Sequence, residues 1–130
     1  MISALYIVLS AIIIGQLSMN VIKVRRQYKI SIGDGSNHAL QLAICAQTNA
    51  VEYLPIGMLL LISLEFNAAN NLIIHALGIT LLVGRIMHAK AMLADNLKRR
   101  VIGMQITFYT LLAMAVMNMG YLPYGKLIQF

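Results

Sequence analysis

Four long apolar stretches, separated by short polar breaks, constrain this chain more than any other feature of its sequence. Each stretch has about the 20 residues that an α-helix needs to cross the hydrocarbon core of a bilayer. The predicted spans cover residues 2–22, 39–64, 72–93 and 101–122, with boundaries good to about 3 residues. Because a helix satisfies its own backbone hydrogen bonds in lipid, the sequence predicts an all-α membrane four-helix bundle that forms a single domain over residues 1–130.

The composition is consistent with lipid as the main environment. Hydrophobic residues make up 60% of the chain and charged residues 11%, whereas a soluble domain has about 25% charged residues. The net charge of +6 lies in bases between the apolar runs, not on one face of a soluble module, so we expect no nucleic-acid partner. The single cysteine, Cys45, excludes an internal disulfide. No His, Cys, Asp or Glu cluster has ligand spacing, so we expect no metal.

The basic residues are unevenly distributed among the breaks. Eight of the ten lie in or beside the first and third breaks, and the other two are Arg85, inside the third span, and Lys126. The second break, over residues 65–71, has one acid and no base. The positive-inside rule therefore predicts that the first and third loops are cytoplasmic and that both termini lie on the other side of the membrane.

The first break also contains a turn signal. The run Gly33-Asp34-Gly35-Ser36-Asn37 consists of the residue types that favour turns. Either Ser36 or Asn37 is expected to cap the start of the second helix.

Two acidic or basic side chains lie well inside the spans, Glu52 and Arg85. Each costs about 2.5–3.5 kcal/mol at a helix centre, so each predicts a partner or a function. One interpretation is a structural ion pair between Glu52 and Arg85 that locks two helices together. The other is a polar site within the membrane.

Polar side chains recur near both charges at helical spacing, which places them on common faces. The stripe on the second span consists of His38, Gln41, Cys45, Asn49 and Glu52. The stripe on the third span consists of Arg85, His88 and Met92. We expect both stripes and the arginines Arg25, Arg26 and Arg100 to meet at one membrane boundary. A ligand with carboxylates, an ammonium group and amides would fit such a site.

Several short motifs follow one another in a fixed order. The segment Ala46–Pro55 reads AQTNAVEYLP and fits the pattern A-Q-x-N-x-x-E-Y-x-P. The other matching segments are Val24-Arg25-Arg26, Gly33-Asp34-Gly35, Gly84-Arg85-Ile86-Met87-His88-Ala89 and Arg100-Val101-Ile102-Gly103-Met104. This ordered set covers nearly the whole chain and resembles the MAPEG family (membrane-associated proteins in eicosanoid and glutathione metabolism), in particular its bacterial members.

The resemblance implies a homotrimer of four-helix bundles in a bacterial inner membrane, with glutathione bound between subunits as co-substrate. It implies that one subunit supplies Asn49, Glu52, Tyr53, His88 and Arg100, and that its neighbour supplies Arg25 and Gln47. Arg100 would stabilise the glutathione thiolate, and Arg26 would assist at the acceptor. The second substrate would be a lipophilic small molecule or a membrane lipid.

Two positions depart from the family pattern. Cys45 stands where an arginine usually precedes the A-Q-x-N motif, and Met92 stands where a tyrosine often lies four residues after the position of His88. The missing arginine removes a carboxylate partner for glutathione.

Three functions therefore remain open on the sequence. The first is a glutathione-dependent transferase or peroxidase acting on lipophilic electrophiles or lipid hydroperoxides. The second is a non-catalytic membrane lipid-binding or scaffold protein of the same fold. The third is a small proton-coupled exporter in which Glu52 titrates, against which a permanent Arg85 partner would argue.

Overall fold

The computed structural model describes residues 1–124 and contains four α-helices in this range. They are α1 (Ser3–Tyr28), α2 (His38–Phe66), α3 (Asn71–Leu93) and α4 (Leu97–Tyr121). Each helix is long and apolar enough to cross a membrane. The predicted all-α bundle with four spans is confirmed for these residues, and Lys126 lies outside them.

Two helices extend beyond the apolar stretches that predict them. Arg25 and Arg26 lie in the last turn of α1, and the residue that caps the end of this helix, Lys29, has a left-handed φ of 54°. The α4 helix begins at Leu97, where the Asn96 side chain caps it. Long basic side chains allow this extension, because their stems cover the helix while their charged ends reach water. The predicted loop arginines therefore lie on helices.

The first loop is organised by side-chain hydrogen bonds. Asn37 is the cap of α2, since its Oδ1 accepts a hydrogen bond from the Leu40 N–H at 2.9 Å. The Asp34 carboxylate accepts hydrogen bonds from the Ser36 N–H at 2.9 Å and from the Gln41 side chain at 3.0 Å. These two bonds, the one from the Ser36 backbone first, hold the pKa of Asp34 below its usual range.

The α2 and α3 helices form the centre of the bundle, since each of them packs against all three other helices. By contrast, α1 contacts α2 and α3 but not α4. Residues at spacings of three and four form the buried face of α2. They are Leu40, Ala43, Ala46, Ala50, Leu54, Gly57, Leu61 and Leu64. The core thus follows the helical periodicity of the sequence.

Small residues let α3 and α4 approach closely. A Cβ added at Gly103 would lie 2.7 Å from the backbone nitrogen of His88, and one added at Gly84 would lie 2.9 Å from a methyl carbon of Ile106. Glycine at helix contacts is a common way to bring membrane helices together. These two contacts fix the antiparallel register of α3 and α4.

The end of the bundle near the amino terminus has its own polar contacts. Glu65, in the last turn of α2, accepts hydrogen bonds from the backbone N–H groups of Ile2 and Ser3 and from the Ser3 hydroxyl. It therefore stabilises the start of α1, where a negative charge is favourable. The Tyr6 hydroxyl and His75 Nδ1 lie 2.7 Å apart, within hydrogen-bond distance.

Candidate functional site

Arg85 is the best-partnered polar side chain of the predicted site. It is 2% exposed and lies on α3. Its Nε donates to the hydroxyl of Thr107 at 2.9 Å, and its Nη1 donates to the side-chain and backbone oxygens of Asn49 at 3.0 and 3.3 Å. Its Nη2 lies 3.5 Å from the sulfur of Met104. Neutral groups from α2 and α4 thus satisfy the buried guanidinium.

The same guanidinium also lies over an aromatic ring. The Arg85 Cζ is 5.1 Å from the ring centroid of Tyr53, a distance at which cation–π attraction is significant. Tyr53 in turn packs edge-on against Phe108, with ring centroids 5.5 Å apart. Asn49 and Tyr53, both implied by the resemblance as glutathione ligands, are therefore engaged with Arg85 in their own chain.

Arg100 and His88 lie one turn apart along the α3–α4 contact. His88 is 3% exposed, and its backbone packs directly on Gly103. Arg100 is half-buried, with its Nη1 3.5 Å from the sulfur of Met92. The methionine that departs from the family pattern is thus the side chain that contacts Arg100.

Other predicted residues point away from this cluster within one chain. Glu52 and Cys45 are exposed, and Gln47 is half-buried. The ion pairs among residues 1–124 are those of Glu65 with the amino terminus and of Asp95 with His38. Glu52 therefore has no basic partner in this part of the chain, and Arg85 has no acidic one.

The arginines of α1 occupy a separate position. Arg25 donates to the carbonyl oxygen of Gly33 at 2.7 Å, and Arg26 is exposed. Both line a surface cavity of about 390 Å³ together with Lys29. Because α1 does not contact α4, one chain does not bring these arginines into contact with Arg100.

Two side chains that contact Arg85, those of Thr107 and Met104, are not among the site residues that the sequence predicts. The Thr107 hydroxyl accepts from Arg85 and donates to the backbone carbonyl of Gly103, and Met104 contributes its thioether. A hydroxyl in the middle of a span, one turn from a glycine, is the signal that could have identified Thr107. Met104 ends the Arg100–Met104 motif, but nothing in the sequence indicates that its thioether contacts Arg85.

The arrangement leaves a strongly positive end of the bundle. We call this the basic end, and it consists of the first and third loops with the adjoining helix turns. Its basic residues are Lys23, Arg25, Arg26, Lys29, Lys90, Lys98, Arg99 and Arg100. None of them forms an ion pair within residues 1–124. A negatively charged ligand is the natural complement of such a surface.

Comparisons with known proteins agree with this architecture. The model of the MAPEG family matches residues 3–120. The chain is 41% identical over 124 residues to "Inner membrane protein YecN" of Escherichia coli strain K12, a match that covers 95% of each protein. The protein of the same name from Escherichia coli O6:H1 gives the same identity and coverage. With four membrane-spanning helices and a family match over nearly its whole length, this chain is an integral membrane protein that belongs to the MAPEG family.

Proposed function

We propose that this protein is a glutathione-dependent transferase or peroxidase that acts on lipophilic electrophiles or lipid hydroperoxides. The observation that carries the proposal is the environment of Arg100. Its guanidinium is half-buried beside Met92, one turn from the contact between Gly103 and His88, and no carboxylate of residues 1–124 neutralises it. A charge held in this way favours an anion from outside the chain.

In the proposed reaction, this anion is the thiolate of glutathione. A thiol has a pKa of about 8.5, so at neutral pH most of it is protonated and unreactive. A guanidinium carries a permanent positive charge. Arg100 lies in the first turn of α4, where the helix dipole adds further positive potential. Both effects would lower the pKa of the glutathione thiol and increase the thiolate fraction.

The thiolate would react in one of two ways. In a transfer, sulfur forms a bond to an electrophilic carbon, and the electron pair displaced there takes up a proton or departs with the leaving group. In a reduction, two glutathione thiols form one disulfide while a lipid hydroperoxide becomes an alcohol and water. In both reactions the lipophilic substrate would come from the bilayer.

The exposed position of Glu52 supports a homo-oligomer, and we propose the homotrimer implied by the resemblance. A carboxylate in the middle of a helix costs about 2.5–3.5 kcal/mol in lipid, and Glu52 has no basic partner in residues 1–124. A second copy that covers this face would remove the side chain from lipid. It would also bring the α1 arginines of one copy toward the α4 helix of another. The ammonium group of glutathione would then have Glu52 as its partner.

The distribution of charge also supports an orientation. The basic end would face the cytoplasm, with both termini on the opposite side, because positively charged loops are retained on the cytoplasmic side. The relatives are named as inner membrane proteins, and we propose the same membrane for this chain.

Calorimetry with glutathione on the detergent-purified protein tests the proposal. We expect a binding heat together with the ultraviolet absorbance of a thiolate at neutral pH. Arg100→Ala should remove the absorbance and lower turnover of a lipophilic electrophile by about 100-fold, the loss typical when one stabilising donor is removed. The matched control is Lys98→Ala, an exposed base two residues away, which should leave both readouts unchanged. Absence of glutathione binding by the wild-type protein would refute the proposal.

Cys45→Arg is a second, independent variant. It restores the residue that usually precedes the A-Q-x-N motif in the family, and Cys45 is exposed on the same face of α2 as Glu52. We expect glutathione to bind about tenfold more tightly, since a hydrogen bond to a charged group contributes about 1.5–3 kcal/mol. Unchanged affinity would mean that the carboxylates of glutathione lie elsewhere.

The main alternative is a non-catalytic lipid-binding or scaffold protein. It is favoured by the hydrogen bonds of Arg85, which already engage Asn49 and Tyr53 inside the chain. This alternative predicts glutathione binding without a thiolate signal, or no binding at all. A proton-coupled exporter is favoured by the lack of an ion pair between Glu52 and Arg85, and it predicts efflux that Glu52→Gln abolishes.

A further inference from the structure

The outward-facing groove between α3 and α4 contains a cavity of about 480 Å³ at the basic end. We call this groove the outer seam. Apolar side chains line the cavity from both helices, with Met87 and Ala91 on α3 and Ile102 on α4. Two exposed bases, Lys90 and Arg99, line it as well. The cavity thus combines apolar walls with two positive charges at the membrane boundary.

A second cavity of about 380 Å³ lies farther along the same seam. Its lining includes Leu77 and Thr80 on α3 and Ile106 and Tyr109 on α4. The hydroxyl of Thr80 donates to a backbone carbonyl of its own helix at 2.7 Å, and that of Thr110 does the same. With these two hydroxyls satisfied internally, the walls of the second cavity are apolar apart from the hydroxyl of Tyr109.

The spacing of the two cavities matches one leaflet of a bilayer. Arg99 and Tyr109 are ten residues apart on α4, a rise of about 15 Å at 1.5 Å per residue. The hydrocarbon core is about 30 Å thick, so one leaflet contributes about 15 Å. A chain anchored at Arg99 would therefore reach the second cavity within its own leaflet.

The charges at the first cavity have no partner of their own. Neither Lys90 nor Arg99 forms an ion pair in residues 1–124. The acid of the adjoining loop, Asp95, lies 2.9 Å from the ring of His38 and belongs to another contact. The cavity therefore has an excess of two positive charges.

We propose that the outer seam binds an anionic phospholipid, with its phosphate between Lys90 and Arg99 and one acyl chain along α3 and α4. Basic pockets between membrane helices are a recognised setting for anionic headgroups. A second copy of this chain is a poor occupant of the outer seam. Its basic end would place more positive charge against Lys90 and Arg99, without the bound anion that the proposed glutathione site provides. The site is distinct from the proposed glutathione site, since Arg99 and the half-buried Arg100 are about 100° apart around α4.

Native mass spectrometry of the full chain in detergent tests this proposal with defined lipids. We expect dioleoyl phosphatidylglycerol to bind at least tenfold more tightly than dioleoyl phosphatidylcholine, which has the same chains and no net charge. Dihexanoyl phosphatidylglycerol should bind less tightly than the dioleoyl form, because its short chains do not reach the second cavity. Glycerol phosphate, which has no acyl chain, should not bind.

Two double variants separate this site from the general positive charge. Lys90→Gln with Arg99→Gln should weaken phosphatidylglycerol binding by tenfold or more, since each basic residue near an anionic lipid contributes about a fivefold effect. Lys23→Gln with Lys98→Gln removes the same charge from the basic end outside the seam and should change binding less than threefold.

Three results would overturn the proposal. These are equal binding of phosphatidylglycerol and phosphatidylcholine by the wild-type protein, equal losses in the two double variants, and full competition by glycerol phosphate. The first comparison uses no variant, so it remains decisive even if a substitution impairs folding. None of these results depends on glutathione binding.

Discussion

Arg85 and Glu52 are two charges inside the same membrane domain, and the chain treats them differently. Arg85 is buried, and groups of α2 and α4 satisfy its guanidinium. Glu52 lies three residues after Asn49, the main partner of Arg85, yet it is exposed and has no basic partner in residues 1–124. The charge of Arg85 is therefore satisfied within a single chain, whereas that of Glu52 is not.

This difference suggests separate roles: Arg85 stabilises the fold, and Glu52 interacts with a second molecule. The buried guanidinium of Arg85 connects three helices through hydrogen bonds to neutral groups, so its position does not require a buried carboxylate. A carboxylate left without a partner in lipid needs a second molecule, either another copy or a ligand. Substitutions at the two positions should accordingly affect different measurements.

The largest effect is expected at the partner of Arg85. Asn49→Leu removes an acceptor at 3.0 Å from the guanidinium and should lower the free energy of unfolding in mixed micelles by about 2–3 kcal/mol. Asn118→Leu is a matched control, since Asn118 donates only to the neutral carbonyls of Leu60 and Met114 and should lose about 1 kcal/mol or less. Equal losses would mean that the charge of Arg85 does not depend on Asn49.

The close approach of α3 and α4 gives the next largest effect. Gly103→Ala places a Cβ 2.7 Å from the His88 backbone nitrogen, so the helices must separate near Arg100. We expect a loss of about 1–3 kcal/mol of unfolding free energy, the usual result of overpacking. Gly15→Ala, which has nothing within 4 Å of the added atom, should be neutral or stabilising by up to about 1 kcal/mol. A neutral Gly103→Ala would argue against this close contact.

Glu52→Gln sharpens the comparison in the opposite direction. Because Glu52 has no basic partner in residues 1–124, the free energy of unfolding of the monomer should change by only about 0.5 kcal/mol. Unfolding should be measured in dilute detergent, where the monomer predominates. Self-association and glutathione affinity should both decrease, as followed by analytical ultracentrifugation and calorimetry. A loss of monomer stability as large as that of Asn49→Leu would show that Glu52 is satisfied within its own chain.

The smallest effect is expected for a charge outside the membrane. Hydrogen bonds from Ser36 and Gln41 lower the pKa of Asp34, so its charged form stabilises the fold above the unfolded pKa of about 3.9. That contribution is lost as the pH falls through the lower pKa of the folded state. The difference in melting temperature between wild type and Asp34→Asn should be constant near neutral pH and disappear in acid. A difference that grew toward acid pH would contradict this assignment.

Much of the fold could be predicted because it depends on local pattern. The apolar stretches predicted four spans, and the turn residues of the first loop predicted a cap that the structure assigns to Asn37. Helix ends were predicted less well, since α1 continues past residue 22 to Tyr28 and α4 begins at Leu97. The hydropathy of the sequence predicts where the membrane-embedded part of a helix ends. The helix itself continues until its terminal backbone groups are capped.

Less of the candidate site could be predicted. Helical spacing placed Asn49 and Glu52 on one stripe of α2, but only Asn49 reaches Arg85. Spacing also placed Arg85, His88 and Met92 together on α3, and all three are buried in the structure. The participation of Thr107 required knowledge of how α3 meets α4.

By itself the sequence determined four membrane helices, the uneven distribution of positive charge and the presence of two charges inside the spans. These properties follow from hydrophobicity and periodicity, which act over a few turns of one helix. Only the tertiary structure decided that Arg85 finds its partners inside the chain while Glu52 remains exposed. That choice depends on the helix crossings, which are fixed by the close contacts at Gly84 and Gly103 between residues far apart in sequence.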